Sequence, residues 1–164
     1  MRITEHFDSA EWEGSDGPYP LERIDAEDAE GRTWRETRLQ PLAETLEAIR
    51  RCIDGPLAIT PHGGYRSEEH QQRLVDESPD AAQAGEIAGA TTSQHPKGRA
   101  ADVYSRKWAA NQLHAIILDM WRRGELPHLG GLGLYPTFVH VDVRPRPASG
   151  HLAQWGGSRA ANVA

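Results

Sequence analysis

Cysteine is almost missing from this sequence: Cys52 is the one thiol in 164 residues. An intramolecular disulfide and a four-cysteine metal site are both excluded. Cys52 lies in a run (Leu39, Leu42, Leu46, Ile49, Ile53) spaced like one helix face, which predicts a buried structural thiol rather than a nucleophile. A basic surplus is missing too. The 18 Lys and Arg stand against 24 Asp and Glu, giving a formal charge of −6, whereas a general nucleic-acid binder needs clustered cations. Two short basic clusters, Arg122-Arg123 and Arg144 to Arg146, read as solvated surface. No run is long and apolar enough to cross a bilayer, so no membrane partner is expected. Met1 to Phe7 lacks the basic and apolar regions of a secretory signal. No internal repeat is visible. What is present is an ordinary hydrophobic share, 38%, in a chain long enough for one domain with a real core.

Residues 1–36 are acidic and punctuated by Gly and Pro, which predicts an N-terminal arm packed on the domain by Phe7, Trp12 and Tyr19. Leu39 to Ile53 has the clearest helical periodicity and is closed by Asp54-Gly55-Pro56. A short strand follows at Leu57 to Thr60, then a Gly63-Gly64 turn. Ser67 should cap a helix running through Val75, with Glu68 and Glu69 in its first turn. Residues 76–92 read as a long loop and Gly98 to Val103 as a strand. Lys107 to Arg123 reads as a helix with Trp108, Leu113, Ile116, Ile117 and Met120 on its apolar face. Gly130 to Tyr135 and Phe138 to Arg144 form a predicted hairpin. The chain beyond Arg144 reads as irregular, with Trp155 as an anchor and 158–164 as a tail. Helices interleaved with strands, plus a late hairpin, predict an α+β single domain with a small, mainly antiparallel sheet.

Two segments carry chemistry. In Ser93-Gln94-His95-Pro96-Lys97-Gly98-Arg99-Ala100-Ala101-Asp102 a turn separates a histidine from a carboxylate, ligand types that suit zinc. Beyond the turn an extended chain points Ala100 and Asp102 to one side, with Val103 towards the core. In Phe138-Val139-His140-Val141-Asp142-Val143 strict alternation buries the valines and puts His140 and Asp142 together on the other face. His95, Asp102 and His140 make three protein ligands, which leaves a fourth position for water, the mark of a catalytic rather than a structural zinc. Asp142 beside His140 reads either as a general base or as a carboxylate orienting a ligand histidine. An Arg66 guanidinium fork suits a substrate carboxylate or a developing oxyanion. The remaining histidines, including His62 and His151, read as structural or exposed.

The order Gly64-Tyr65-Arg66-Ser67, then Ser-x-His-x-x-Gly-x-Ala-x-Asp, then Gly131-Leu132-Gly133-Leu134-Tyr135 leading into Phe-Val-His-Val-Asp resembles the zinc D-Ala-D-Ala carboxypeptidase and peptidoglycan endopeptidase superfamily. That superfamily shares its fold with the hedgehog signalling domain, and the likeness covers roughly residues 37–157, the zinc peptidase domain. It implies helices on one face of the sheet and a zinc cleft on the other. It implies one Zn²⁺ per chain on His95, Asp102 and His140, Arg66 steadying substrate or oxyanion, and Ser93 and Tyr65 at the substrate. The expected partners are peptidoglycan stem peptides, met by a monomer in the periplasm or outside the cell. Without a leader, a phage-type origin, another delivery route or a trimmed chain would bring it there. The chain departs from the pattern in two places. Several relatives carry an acid three positions before the last zinc histidine, where this chain has Thr137, and the loop Asp76 to Ala88 is longer than in close relatives. A zinc-containing module that binds wall or partner without cutting, and a hydrolase of free dipeptides, therefore stay open.

Overall fold

A computed structural model describes residues 1–12, 19–83, 88–89 and 92–156, with Leu21 described by its backbone alone. The tail expected at 158–164 lies outside the described residues. After a single 3₁₀ turn at Ser9–Trp12 and the one-turn helix α1 (Leu21–Ile24), a wide π turn at Arg35–Leu39 runs into α2 (Gln40–Ile53). Leu42, Leu46, Ile49 and Ile53 of α2 are buried. The helix ends at Asp54, whose φ of 47° is the left-handed conformation that Asp tolerates better than most residues. Strand β1 (Leu57–Ile59) follows. Ser67 Oγ accepts from His70 N at 3.1 Å and so caps α3 (Glu68–Glu77).

The segment expected to be one long loop contains a further helical turn, α4 (Pro79–Gln83). Its proline stands at the first helical position, where a missing N–H costs nothing. β2 (Ala100–Ser105), α5 (Ala110–Arg122), β3 (Gly131–Leu134) and β4 (Val139–Asp142) then follow. The chain beyond Arg144 is not wholly irregular: Ala153–Gly156 forms β5, which pairs parallel to β3. No helix among the described residues is long and apolar enough to cross a membrane.

The sheet order is β1-β2-β4-β3-β5, antiparallel except for the last pair. Register decides what meets on the cleft face. Asp102 pairs with His140, His140 with Gly133, and Gly133 with Trp155, so these four lie in one cross-strand row. The next row is Ala100, Asp142, Gly131 and Ala153. On the opposite face Ala101, Val103, Leu132, Val139 and Val141 join one hydrophobic core with Leu113, Ile117 and Met120 of α5 and the apolar side of α2. Phe7, Trp12 and Tyr19 of the N-terminal segment are buried in the same core. Cys52 is exposed, contrary to the buried thiol expected from its run. The buried stripe of α2 passes through Ile49 and Ile53, and position 52 falls just outside it.

Candidate active site

His95 stands in a turn built around Gly98, whose φ of 66° is costly for any residue with a Cβ. Gly98 N donates to the His95 carbonyl at 3.0 Å, and the Tyr19 hydroxyl donates to the Gly98 carbonyl at 2.9 Å. The His95 ring is buried, with Nδ1 at 2.6 Å from the Gly64 carbonyl. A carbonyl only accepts, so Nδ1 carries the proton and Nε2 keeps its lone pair. Nε2 lies 3.4 Å from Asp102 Oδ1.

Asp102 and His140 meet across β2 and β4. His140 Nδ1 is 2.9 Å from Asp102 Oδ1, while its Nε2 is 3.0 Å from Asp142 Oδ2. Asp102 Oδ2 accepts from Arg66 Nη2 at 3.0 Å. Burial drives the Asp102 carboxyl up, but His95 and His140 outweigh it and hold the group well below the usual carboxylate range. Burial lowers His95 despite Asp102 beside it. Burial also works against protonating His140, yet the hydrogen bonds to Asp102 and Asp142 push it up to about 9.

These features fit a metal ion. One oxygen or nitrogen from each of His95, Asp102 and His140 lies within 4.8 Å of the other two, and all three residues are buried. An imidazole whose two nitrogens each face a carboxylate, at 2.9 and 3.0 Å, stands in a place that attracts positive charge. A cation held by His95, Asp102 and His140 would supply that charge. Two imidazole nitrogens and one carboxylate oxygen are a zinc donor set, and each ring's other nitrogen is held by an acceptor, as metal-ligating histidines require.

Asp142 is 0% exposed and does not line the cleft. Its oxygens are taken by His140, by the Arg144 backbone N–H at 3.0 Å, and by the Arg144 guanidinium, whose Nε is 2.9 and 3.0 Å from the two oxygens. Burial raises its carboxyl, but His140 and Arg144 bring it down, so it remains ionised. A Cβ on Gly131 would overlap the Asp142 carboxylate, and one on Gly133 would overlap the Trp155 indole. The two glycines of β3 thus give Asp142 its room and let Trp155 reach His140, ring centroids 5.1 Å apart.

The cleft over these groups encloses about 390 Å³. Arg66, Ser93 and Gln71 form part of its wall. Tyr135 and Phe138, stacked at 4.5 Å, stand with Trp155 as an aromatic wall, and Trp155 Nε1 donates to the Tyr135 hydroxyl at 3.1 Å. Tyr65 does not line the cleft: its ring packs on Tyr19 at 5.8 Å, and its N–H donates to the Trp12 carbonyl at 2.7 Å. Thr137, His62 and His151 are exposed and outside the lining. Sequence reasoning missed Gln71, Arg144 and the aromatic wall. The alternating glycines of β3 were the available signal, since a bare strand lets side chains from both neighbours meet above it.

An α+β domain that converges two histidines and an aspartate on the floor of a cleft has the make-up of a zinc metallopeptidase. The family model for peptidase M15 matches residues 22–142. The chain belongs to the peptidase M15 family, within the zinc D-Ala-D-Ala carboxypeptidase superfamily. No curated protein matches the chain. Among solved structures, one of the vancomycin-resistance D,D-pentapeptidase VanY from a VanB-type cassette, a point mutant in complex with Zn(II), shares 16% identity. It covers 84% of this chain and 89% of its own, at a TM-score of 0.34.

Proposed function

We propose that this chain hydrolyses peptide bonds in the stem peptides or crosslinks of bacterial peptidoglycan, with His95, Asp102 and His140 holding one zinc ion. The observation that carries this reading is the convergence of those three donor groups within 4.8 Å on the floor of a cleft. A bound zinc would supply an acidified water and a Lewis acid for the scissile carbonyl. The residues around it have separate tasks. The Gly64 carbonyl fixes the His95 tautomer, and Asp142 fixes that of His140. Of the two roles open to Asp142, orientation is the one its burial and full coordination favour. Arg66 holds the Asp102 carboxylate and also faces the cleft, where its fork suits a substrate carboxylate or the tetrahedral oxyanion. Ser93 offers a hydroxyl at the same wall. The aromatic wall excludes water and gives the substrate backbone a flat surface.

A second reading is a zinc-containing module that binds wall peptides without cutting them. It draws support from the cleft lining, where Asp102 is the one acid among the described residues. Release of amines from purified peptidoglycan and from D-Ala-D-Ala, with and without a chelator, separates the readings. Chelator-sensitive release from peptidoglycan supports the peptidase, and release from the dipeptide alone points to a dipeptide hydrolase. Zinc bound without release from either substrate supports the binding module.

A further inference from the structure

A second cavity of about 520 Å³ shares only Arg144 with the cleft. Arg32, Arg38, Arg99, Arg144 and Arg146 face it against two acids, Asp28 and Glu36, in a chain whose net charge is −6. The acids are already engaged. Asp28 pairs with Arg32 at 3.0 Å, and Glu36 accepts from the Thr33 N–H and hydroxyl at 2.8 and 3.0 Å. Arg144 is matched by Asp142. Among the described residues Arg38, Arg99 and Arg146 have no ion pair.

Two of these arginines are held in place with donor capacity to spare. The Arg38 guanidinium carbon is 3.8 Å from the centre of the Trp34 ring, and its Nη1 donates one hydrogen bond to the Lys97 carbonyl. Arg99 comes from the strand-entry turn, and its Nε is buried with no hydrogen-bond partner among the described residues. Burial lowers the basicity of both, and Arg99 lowers that of Arg38 further. For Arg99 burial is the dominant cause: the attraction of Asp142 is larger than the repulsion of Arg144 but does not undo the effect of burial. Guanidinium groups that line one cavity without an ion pair leave N–H donors there for an anion.

We propose that this cavity is an anion site, separate from the metal centre, that takes a phosphate group. One guanidinium fork satisfies a carboxylate, which has two oxygens. Three guanidinium groups arriving from different segments suit the larger acceptor set of a phosphate. The phosphate could be free or carried as an ester.

The test uses the full-length, zinc-loaded protein labelled at the arginine Nε positions. It is titrated at constant ionic strength with inorganic phosphate, glycerol 3-phosphate and acetate. Saturable shifts of the Arg38 and Arg99 Nε–H signals are expected with both phosphates, and a tighter response to the glycerol ester identifies an ester as the ligand. Acetate should act only weakly. Arg99→Met should weaken phosphate binding roughly tenfold or more, and Arg99→Lys, which keeps charge but loses the fork, should weaken it less. The lysine variant also serves if the methionine variant does not fold. The proposal is overturned by an absence of saturable shifts, by shifts confined to Arg66 beside the metal centre, by acetate binding as tightly as phosphate, or by unchanged affinity in both variants.

Discussion

His95 and His140 reach the same point in the cleft from supports of different kind. His95 hangs from a glycine turn and is steadied by neutral groups: the Gly64 carbonyl on its ring, and the Tyr19 hydroxyl on the turn behind it. His140 stands on a central strand and is steadied by an ionic chain, Asp142 then Arg144, that reaches the second cavity. A backbone carbonyl fixes a tautomer without changing the charge of the site. A buried carboxylate fixes it and also makes the ring a stronger ligand. The strand side should therefore govern affinity for the cation, and the turn side should govern geometry.

The comparison can be broken at several points. His95→Ala, Asp102→Ala and His140→Ala should each cost the most, with zinc content and amine release both falling by more than about a hundredfold, beyond what loss of an outer partner produces. A protein that keeps full zinc after losing any one of them would end the three-ligand reading. Asp142→Asn keeps the shape and removes the charge. Its zinc affinity, read by chelator competition, should drop roughly 10- to 100-fold, and a near-normal value would show that the two histidines are supported alike. Gly131→Ala drives a methyl into the same carboxylate. Thermal unfolding should report a loss of about 1–3 kcal/mol from overpacking, with weaker zinc binding alongside it. Tyr19→Phe removes one neutral buried hydrogen bond from the turn side. It should cost about 1 kcal/mol of stability and leave zinc affinity within a few-fold, so a large loss of zinc there would reverse the assignment of roles.

Much of this was legible in the residues. Alternation in Phe138 to Val143 and in Ala100 to Val103 put His140 and Asp102 on the cleft face, because a strand's period of two leaves no other choice once the valines are inside. The register of β2 on β4, which makes those two residues direct neighbours, depends on pairing between distant segments and leaves no local mark. For the same reason β5 was missed: Ala153–Gly156 is four residues inside a Pro- and Gly-rich stretch, and its parallel pairing with distant β3 leaves no local mark. Trp155 reached the cleft through that pairing. The exposed Cys52 shows the opposite limit, where a helical run was read correctly and one position at its edge was placed on the wrong side.

The N-terminal segment holds parts of the chain that are synthesised much later. The Tyr19 hydroxyl reaches Gly98 across 79 positions, and His6 N donates to Glu47 Oε1 at 2.7 Å across 41. Trp12 meanwhile receives the N–H of Tyr65. The contacts to Glu47 and Tyr65 can form before the one to Gly98, which has to wait for a partner 79 positions away. The turn carrying His95 therefore takes its final form only when Tyr19 and Gly98 are brought together across that separation, a late-closing latch on the site.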